Sequence, residues 1–193
     1  MKATILLGTL KKTGLSNTET LSEFLAGKME KEGITTEIVR LVDHAILPGT
    51  CSDMGEGDGW PPILEKVLAS DIVVFATPIW WDSASSLIQR VIERLDELHD
   101  EILEGKPARL EGKCAAIVIT GDSDGAQHVI GNLANFFNAV GLLLPPYATL
   151  SVLWERQAKD RCPTREELMK KYEEDYGKTA DKLIEQLRKH AAP

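Results

Sequence analysis

Apolar runs alternate with amphipathic stretches from one end of the chain to the other. Ala3 to Leu7, Asp71 to Ala76 and Lys113 to Thr120 read as strands, and the second of these is nearly all apolar, as suits a strand covered on both faces. Thr35 to Leu41 alternates about Ile38 and supplies another. Leu142 to Leu144 with Ala148 to Val152 supply a fifth, kinked by Pro145-Pro146. Helices fall between them. One starts near Asn17, where Ser16 or Asn17 can cap it, and turns Leu21, Phe24, Leu25 and Met29 inward before Gly33 ends it. A short helix covers Ile63 to Ala69. Ala84, Leu87, Ile88, Val91, Ile92 and Leu95 recur at helical spacing without a miss. Another helix runs from about Ala126 to Asn138 and is stopped by Gly141. The tail from Thr164 to His190 is a charged helix, with Thr164 at its N-cap and Glu167 at its third position, the spacing of a capping box.

Strands alternating with helices predict an α/β fold, a flavodoxin-like, doubly wound five-stranded parallel sheet of order 2-1-3-4-5. The 193 residues suffice for one core, so residues 1–193 read as a single domain. One stretch does not fit a minimal version of it. Val42 to Pro62 is rich in Gly, Pro and Asp, lacks periodicity, and carries His44, Cys51, Asp53 and Trp60. It reads as a surface excursion or subunit contact, or as a cover for a ligand crevice. The balance of 22 basic against 30 acidic residues, net charge −8, argues against a general nucleic-acid or membrane-surface binder. Cys51, Cys114 and Cys162 have no metal-like spacing, and Cys114 reads as a small buried hydrophobe. With no secretory segment and no run of 18 apolar residues, the expected location is cytoplasmic.

Candidate chemistry lies in three polar loops that follow apolar runs. They span Gly8 to Thr18, Thr77 to Ser83 and Thr120 to Gly125. Carboxyl ends of parallel strands lie along one edge, so the three loops converge on one crevice. The first suits a phosphate: amides at a helix N-terminus are unpaired and partly positive, Thr9, Ser16 and Thr18 add hydroxyls, and Lys11 adds charge. The same residues would also serve an ordinary capped turn. Five residues separate Gly8 from Gly14 and Leu15 follows, which is not the Walker pattern, and the dinucleotide G-x-G-x-x-G is absent from this turn. A receiver domain would place acids where Gly8-Thr9 and Thr77-Pro78 stand. In the second loop Trp80 and Trp81 suit a flat ring, or equally a core or subunit contact. The third, Gly-Asp-Ser-Asp-Gly, is also a generic turn. His44, His99, His128 and His190 show no triad partner, although His128 lies near the third loop.

Taken together, these elements resemble the flavodoxin-like NADPH-dependent FMN reductases, on the branch that includes iron–sulfur flavoproteins. Gly8-Thr9-Leu10-Lys11 and Ser16-Asn17-Thr18 match that family's G-[ST]-x-[RK] and S-N-T elements. Thr77-Pro78-Ile79-Trp80 is similar to its T-P-x-Y, with tryptophan for tyrosine, Glu93-Arg94 stands for its Asp-Arg, and Gly141-Leu142 for its Gly-Met. The resemblance covers roughly Ala3 to Val152. It implies an FMN phosphate on Thr9, Lys11, Ser16, Asn17 and Thr18, and a ring edge on Pro78, Ile79, Trp80 and Trp81. Gly121, Asp122 and Gly125 would close the other side. It further implies an oxidoreductase that uses NADPH or NADH and passes electrons to a small-molecule acceptor: a quinone, azo, nitro or flavin compound. A homodimer or homotetramer is implied as well, with the tryptophans, the long loop and Phe136-Phe137 as interface candidates. The cysteine-rich segment of the iron–sulfur branch is reduced here to Cys51, which excludes a four-cysteine cluster within one subunit. A flavodoxin-type electron carrier and a non-catalytic binding module are the competing readings.

Overall fold

Five parallel strands, β1 (Lys2–Leu7), β2 (Thr35–Arg40), β3 (Ile72–Pro78), β4 (Cys114–Gly121) and β5 (Thr149–Leu153), form one sheet in the order β2-β1-β3-β4-β5. This computed structural model describes residues 1–122, 124–154 and 163–191, so Ser123 and Cys162 lie outside the described residues. In register, Ala3 stands opposite Thr36 and Ile72, Ile72 opposite Cys114, and Ile117 opposite Thr149. The helices are α1 (Asn17–Lys31), α2 (Pro61–Leu68), α3 (Ser86–Arg94), α4 (Asp96–Leu103), α5 (Ala126–Val140) and α6 (Arg165–His190). The flavodoxin-like fold expected from the apolar runs is therefore the fold observed.

The period of two along a strand sorts its side chains between two cores. Ile5, Leu7, Val74, Ala76, Ala116 and Val118 join Leu21, Leu25 and Met29 of α1 and Leu183, Ile184 and Leu187 of α6. Leu6, Val73, Phe75, Ala115, Ile117 and Ile119 join Ile63 and Val67 of α2, Ile88 and Val91 of α3, and Val129, Leu133 and Phe137 of α5. Phe75 lies 4.9 Å from Phe137 and 6.2 Å from Phe136 between ring centroids, with Phe137 buried and Phe136 half-buried. Cys114 is buried, which pushes its thiol up to about 11, in keeping with a packing role.

Several boundaries differ from the sequence pattern for identifiable reasons. Thr77-Pro78 and Thr120-Gly121 close β3 and β4, because ladder pairing continues past the last apolar residue. Leu143 makes only an isolated bridge to Cys114, and β5 begins at Thr149, after Pro145, Pro146 and a Tyr147 held at φ 63°. α4 buries Leu98 alone, so its periodic signal is faint. α6 starts at the anticipated capping box: Thr164 Oγ1 accepts from Glu167 N at 3.3 Å, and Glu167 Oε2 accepts from Thr164 N at 2.9 Å.

The excursion from residue 42 to 62 packs along α3. Arg94 and Asp58 meet at 2.6 Å with both side chains fully buried. Arg94 also donates to the carbonyls of Cys51 at 2.7 Å and Leu47 at 2.9 Å. Asp58 accepts from the amides of Leu47, Met54 and Trp60. Burial alone would raise the Asp58 pKa, but Arg94 and those three amides outweigh it and hold the carboxyl well below the usual carboxylate range. Trp60 and Ile46 are buried in the second core, while Cys51 is exposed.

Candidate functional site

A cavity of about 560 Å³ opens at the carboxyl ends of β1, β3 and β4. Of the residues singled out in the sequence, Thr9, Lys11, Ser16, Asn17, Thr18, Pro78, Ile79, Trp80, Trp81, Gly121 and Asp122 all line it. Leu10, Asp82, Thr120 and Asp124 line it as well. Gly125 does not. No residue of the 42–62 excursion lines the cavity of its own chain.

The first loop leaves β1 through Gly8, whose amide donates to the Ala76 carbonyl at 2.7 Å. A Cβ at Gly8 would meet Ile88 Cγ1 at 2.5 Å and Ser85 Oγ at 2.6 Å, so only glycine lets the loop pass this close to α3. Ser16 is the N-cap of α1, and its hydroxyl accepts from Glu19 N at 3.3 Å. The same hydroxyl shares a 2.8 Å hydrogen bond with Thr9 Oγ1, which accepts from Lys11 N at 3.3 Å. Each oxygen already accepts one amide, and one hydroxyl hydrogen joins the pair. The second hydrogen remains for a ligand. A similar pair, Thr18 and Thr120 at 2.6 Å, ties α1 to the end of β4. Thr9, Ser16, Thr18 and Thr120 are all buried. The Asn17 and Thr18 amides lie in the first turn of α1, where the helix offers no carbonyl to receive them.

Two supports hold this end of the cavity from behind. Arg40, at the end of β2, donates to the Lys11 carbonyl at 3.0 Å and the Lys12 carbonyl at 3.3 Å and pairs with Glu19 at 3.0 Å. From α6, the buried Tyr172 hydroxyl donates to the Asn17 carbonyl at 3.3 Å, and its ring stacks on Trp154. Burial raises the Tyr172 pKa, so it stays a neutral donor. Lys11 itself is exposed and donates to the Leu15 carbonyl at 2.8 Å.

The opposite wall is built by the second and third loops. Ile79 N donates to the Thr120 carbonyl at 2.9 Å. Trp80 and Ser83 then exchange two backbone hydrogen bonds, at 2.9 and 3.0 Å, around a tight turn with Trp81 at φ 48° and Asp82 at φ 61°. Positive φ at both central positions marks a type I′ turn, which normally takes Asn and Gly. Trp80 is 53% exposed and Trp81 97%, so neither is a core tryptophan. The glycines of the third loop serve contact between loops: a Cβ at Gly121 would meet Ile79 Cδ1 at 2.8 Å, and one at Gly125 would meet Asp82 Oδ1 at 2.6 Å. His128 Nδ1 lies 3.8 Å from Asp82 Oδ2, outside the cavity. The cavity is thus polarised, with a helix N-terminus, hydroxyls and Lys11 at one end and aromatic and acidic side chains at the other.

Leu10, Asp82, Thr120 and Asp124 fall within the three candidate loops but outside the residues that the resemblance assigns to a ligand. Thr120 is signalled by the hydroxyl that closes an apolar strand, and Asp82 by its place after the tryptophan pair.

Known proteins share both sequence and architecture with this chain. It is 34% identical over 158 residues to 8-demethyl-8-aminoriboflavin-5′-phosphate synthase of Streptomyces davaonensis, covering 77% of this chain and 62% of that protein. It is also 34% identical over 153 residues to a protein of Mycobacterium bovis named divalent metal cation transporter MntH, covering 77% of this chain but 22% of that protein. The chain therefore spans less than two thirds of either relative. No helix among the described residues is long and apolar enough to cross a membrane. The crystal structure of RosB with bound 8-demethyl-8-formylriboflavin-5′-phosphate matches with a TM-score of 0.79 at 27% identity, over 99% of this chain and 79% of that one. An apo NADH:FMN oxidoreductase shares the fold, with a TM-score of 0.65 at 16% identity over 99% of this chain and 90% of that one. A family model described as NADPH-dependent FMN reductase matches residues 1–153, and the chain belongs to that family.

Proposed function

We propose that this chain is an FMN-dependent oxidoreductase that takes electrons from NADPH or NADH and passes them to a small-molecule acceptor, a quinone, azo, nitro or flavin compound. The observation that carries this reading is the polarised cavity, with buried hydroxyl pairs and a helix N-terminus at one end and the Pro78–Trp80 wall at the other. Its volume falls in the range of cofactor sites. The residues fit the group. A phosphate dianion would be held by the spare hydroxyl hydrogen of the Thr9–Ser16 pair, the Asn17 and Thr18 amides, and the positive end of the α1 dipole. Lys11 stands free enough in solvent to swing onto it. Pro78, Ile79 and Trp80 offer a flat, half-buried wall to a ring, and Gly121 lets Ile79 close against β4. Relatives named or crystallised with riboflavin-5′-phosphate derivatives support the same ligand class.

Bound FMN would supply the two-electron chemistry, with the balance NAD(P)H + H⁺ + quinone giving NAD(P)⁺ + hydroquinone. The chain supplies orientation and electrostatics. Pro78 has no N–H, and the Ile79 and Trp80 amides already donate to the Thr120 and Ser83 carbonyls, so this wall would orient a ring by shape and apolar contact. The test is an absorption spectrum of the protein after mixing with FMN and desalting, followed by NADPH without oxygen. Retained yellow colour that bleaches is the expected result. Colour without bleaching points to an electron carrier, and a colourless folded protein overturns the flavoprotein reading.

A further inference from the structure

Trp81 places the largest side chain in the protein where folding gives it nothing to cover. Its indole is 97% exposed at the rim of the cavity. Two features hold it there. Trp81 and Asp82 both adopt left-handed backbone, which is costly for residues with a Cβ and persists only where the surroundings over-determine it. The two hydrogen bonds between Trp80 and Ser83 close the turn, and Gly125 packs so tightly beneath Asp82 that even a methyl group there would collide. The backbone that carries the indole is thus held at the apex of a rigid turn. Leu10, 44% exposed, and Trp80 add apolar surface to the same mouth. Exposed apolar surface grouped at the rim of a cavity marks a binding position.

We propose that Trp81 is a specificity-determining residue for the second substrate: its indole face receives a planar aromatic acceptor, a naphthoquinone or comparable fused-ring molecule, docked at the cavity mouth. The inference rests on the reductase reading above and adds the substrate class to it. Offset stacking rewards a flat, electron-poor ring and gives nothing to an acceptor without a face. Trp80, which is half-covered, would take the inner position beside the cofactor, and Trp81, which is almost fully exposed, the outer one. The closed turn supplies part of the preorganisation, since the backbone beneath the indole is already ordered when the substrate arrives.

The test compares two acceptors in the FMN-loaded protein with saturating NADPH: menadione, which is planar, and ferricyanide, which is octahedral. FMN retention is read first, from the absorption spectrum. Trp81→Ala is expected to raise KM for menadione about three- to tenfold, the range of an aromatic pair, and to leave KM for ferricyanide unmoved. Trp81→Phe is expected to restore most of the menadione KM. Menadione should also quench tryptophan fluorescence in the oxidised, reductant-free protein, and less so in Trp81→Phe. Equal effects on both acceptors, or none on either, overturn the inference. So does a wild-type dimer that Trp81→Ala dissociates in sedimentation, because the indole then belongs to a second copy. A protein that does not hold FMN removes the reductase reading and this inference together. One that holds FMN without an acceptor-selective effect removes this inference alone.

Discussion

Ser16 carries three duties within one hydroxyl: it caps α1, pairs with Thr9, and faces the cavity. These duties separate experimentally. Loss of a Ser N-cap costs about 1 kcal/mol of stability, whereas a hydrogen bond to a charged group is worth about 1.5–3 kcal/mol. Ser16→Ala should therefore lower the urea unfolding free energy by about 1 kcal/mol and weaken FMN binding about tenfold or more, read by quenching of flavin fluorescence. A stability loss with unchanged FMN affinity would reduce Ser16 to a cap. Local spacing made this residue legible, since a serine ahead of an amphipathic run is a cap in almost any fold. Trp81 was legible only as an aromatic near a strand end. Its exposure depends on a turn whose shape is set by Ser83 and Gly125, and no pattern of neighbours announces that.

At the level of elements, the Arg94–Asp58 pin decides what the 42–62 segment is. Read by composition it is a loop without structure, but its carbonyls and amides converge on two charges buried against α3. Removing one partner strands the other charge in the core, at a cost of about 3–5 kcal/mol. Asp58→Ala should lose that much in denaturant titrations and open residues 44–60 to limited proteolysis, while Asp58→Asn, which keeps the shape, should lose less. The pH dependence has a definite sign. The folded pKa of Asp58 lies below its unfolded value of about 3.9, so the pair stabilises fully above that value. The contribution falls away as pH drops from there toward the folded pKa. Wild-type unfolding free energy should decline below about pH 4 more steeply than that of Asp58→Asn. Equal slopes would show that another carboxylate governs the acid limb. Arg94 closes a helix, but its partner lies 36 residues earlier in the chain, and that pairing cannot be read from spacing.

For the whole molecule, the parallel sheet and the convergence of three distant loops followed from alternation, because ligands gather at the carboxyl edge of such a sheet, while the order 2-1-3-4-5 followed from taking the flavodoxin-like topology for five strands. What alternation could not convey is mutual support between elements distant in the chain. Thr18 of α1 is tied to Thr120 of β4, and Tyr172 of α6 holds the Asn17 carbonyl from 155 residues away. The cradle is therefore made by the assembled fold, and filling it should stabilise that fold as a unit. FMN at about a hundred times its dissociation constant adds about 2.7 kcal/mol, which for a domain of this size is a rise in Tm of about 5–10 °C. Riboflavin at the same concentration tests where that energy resides. It brings the same ring to Pro78, Ile79 and Trp80 but leaves the hydroxyl pairs and the α1 amides without an anion, so its shift in differential scanning fluorimetry should be less than half that of FMN. Equal shifts would place the affinity in the ring wall alone and overturn the assignment of residues 8–18 to the phosphate. A larger FMN shift that disappears in Ser16→Ala would tie the stabilisation to that cradle, and through Thr120 and Tyr172 to β4 and α6.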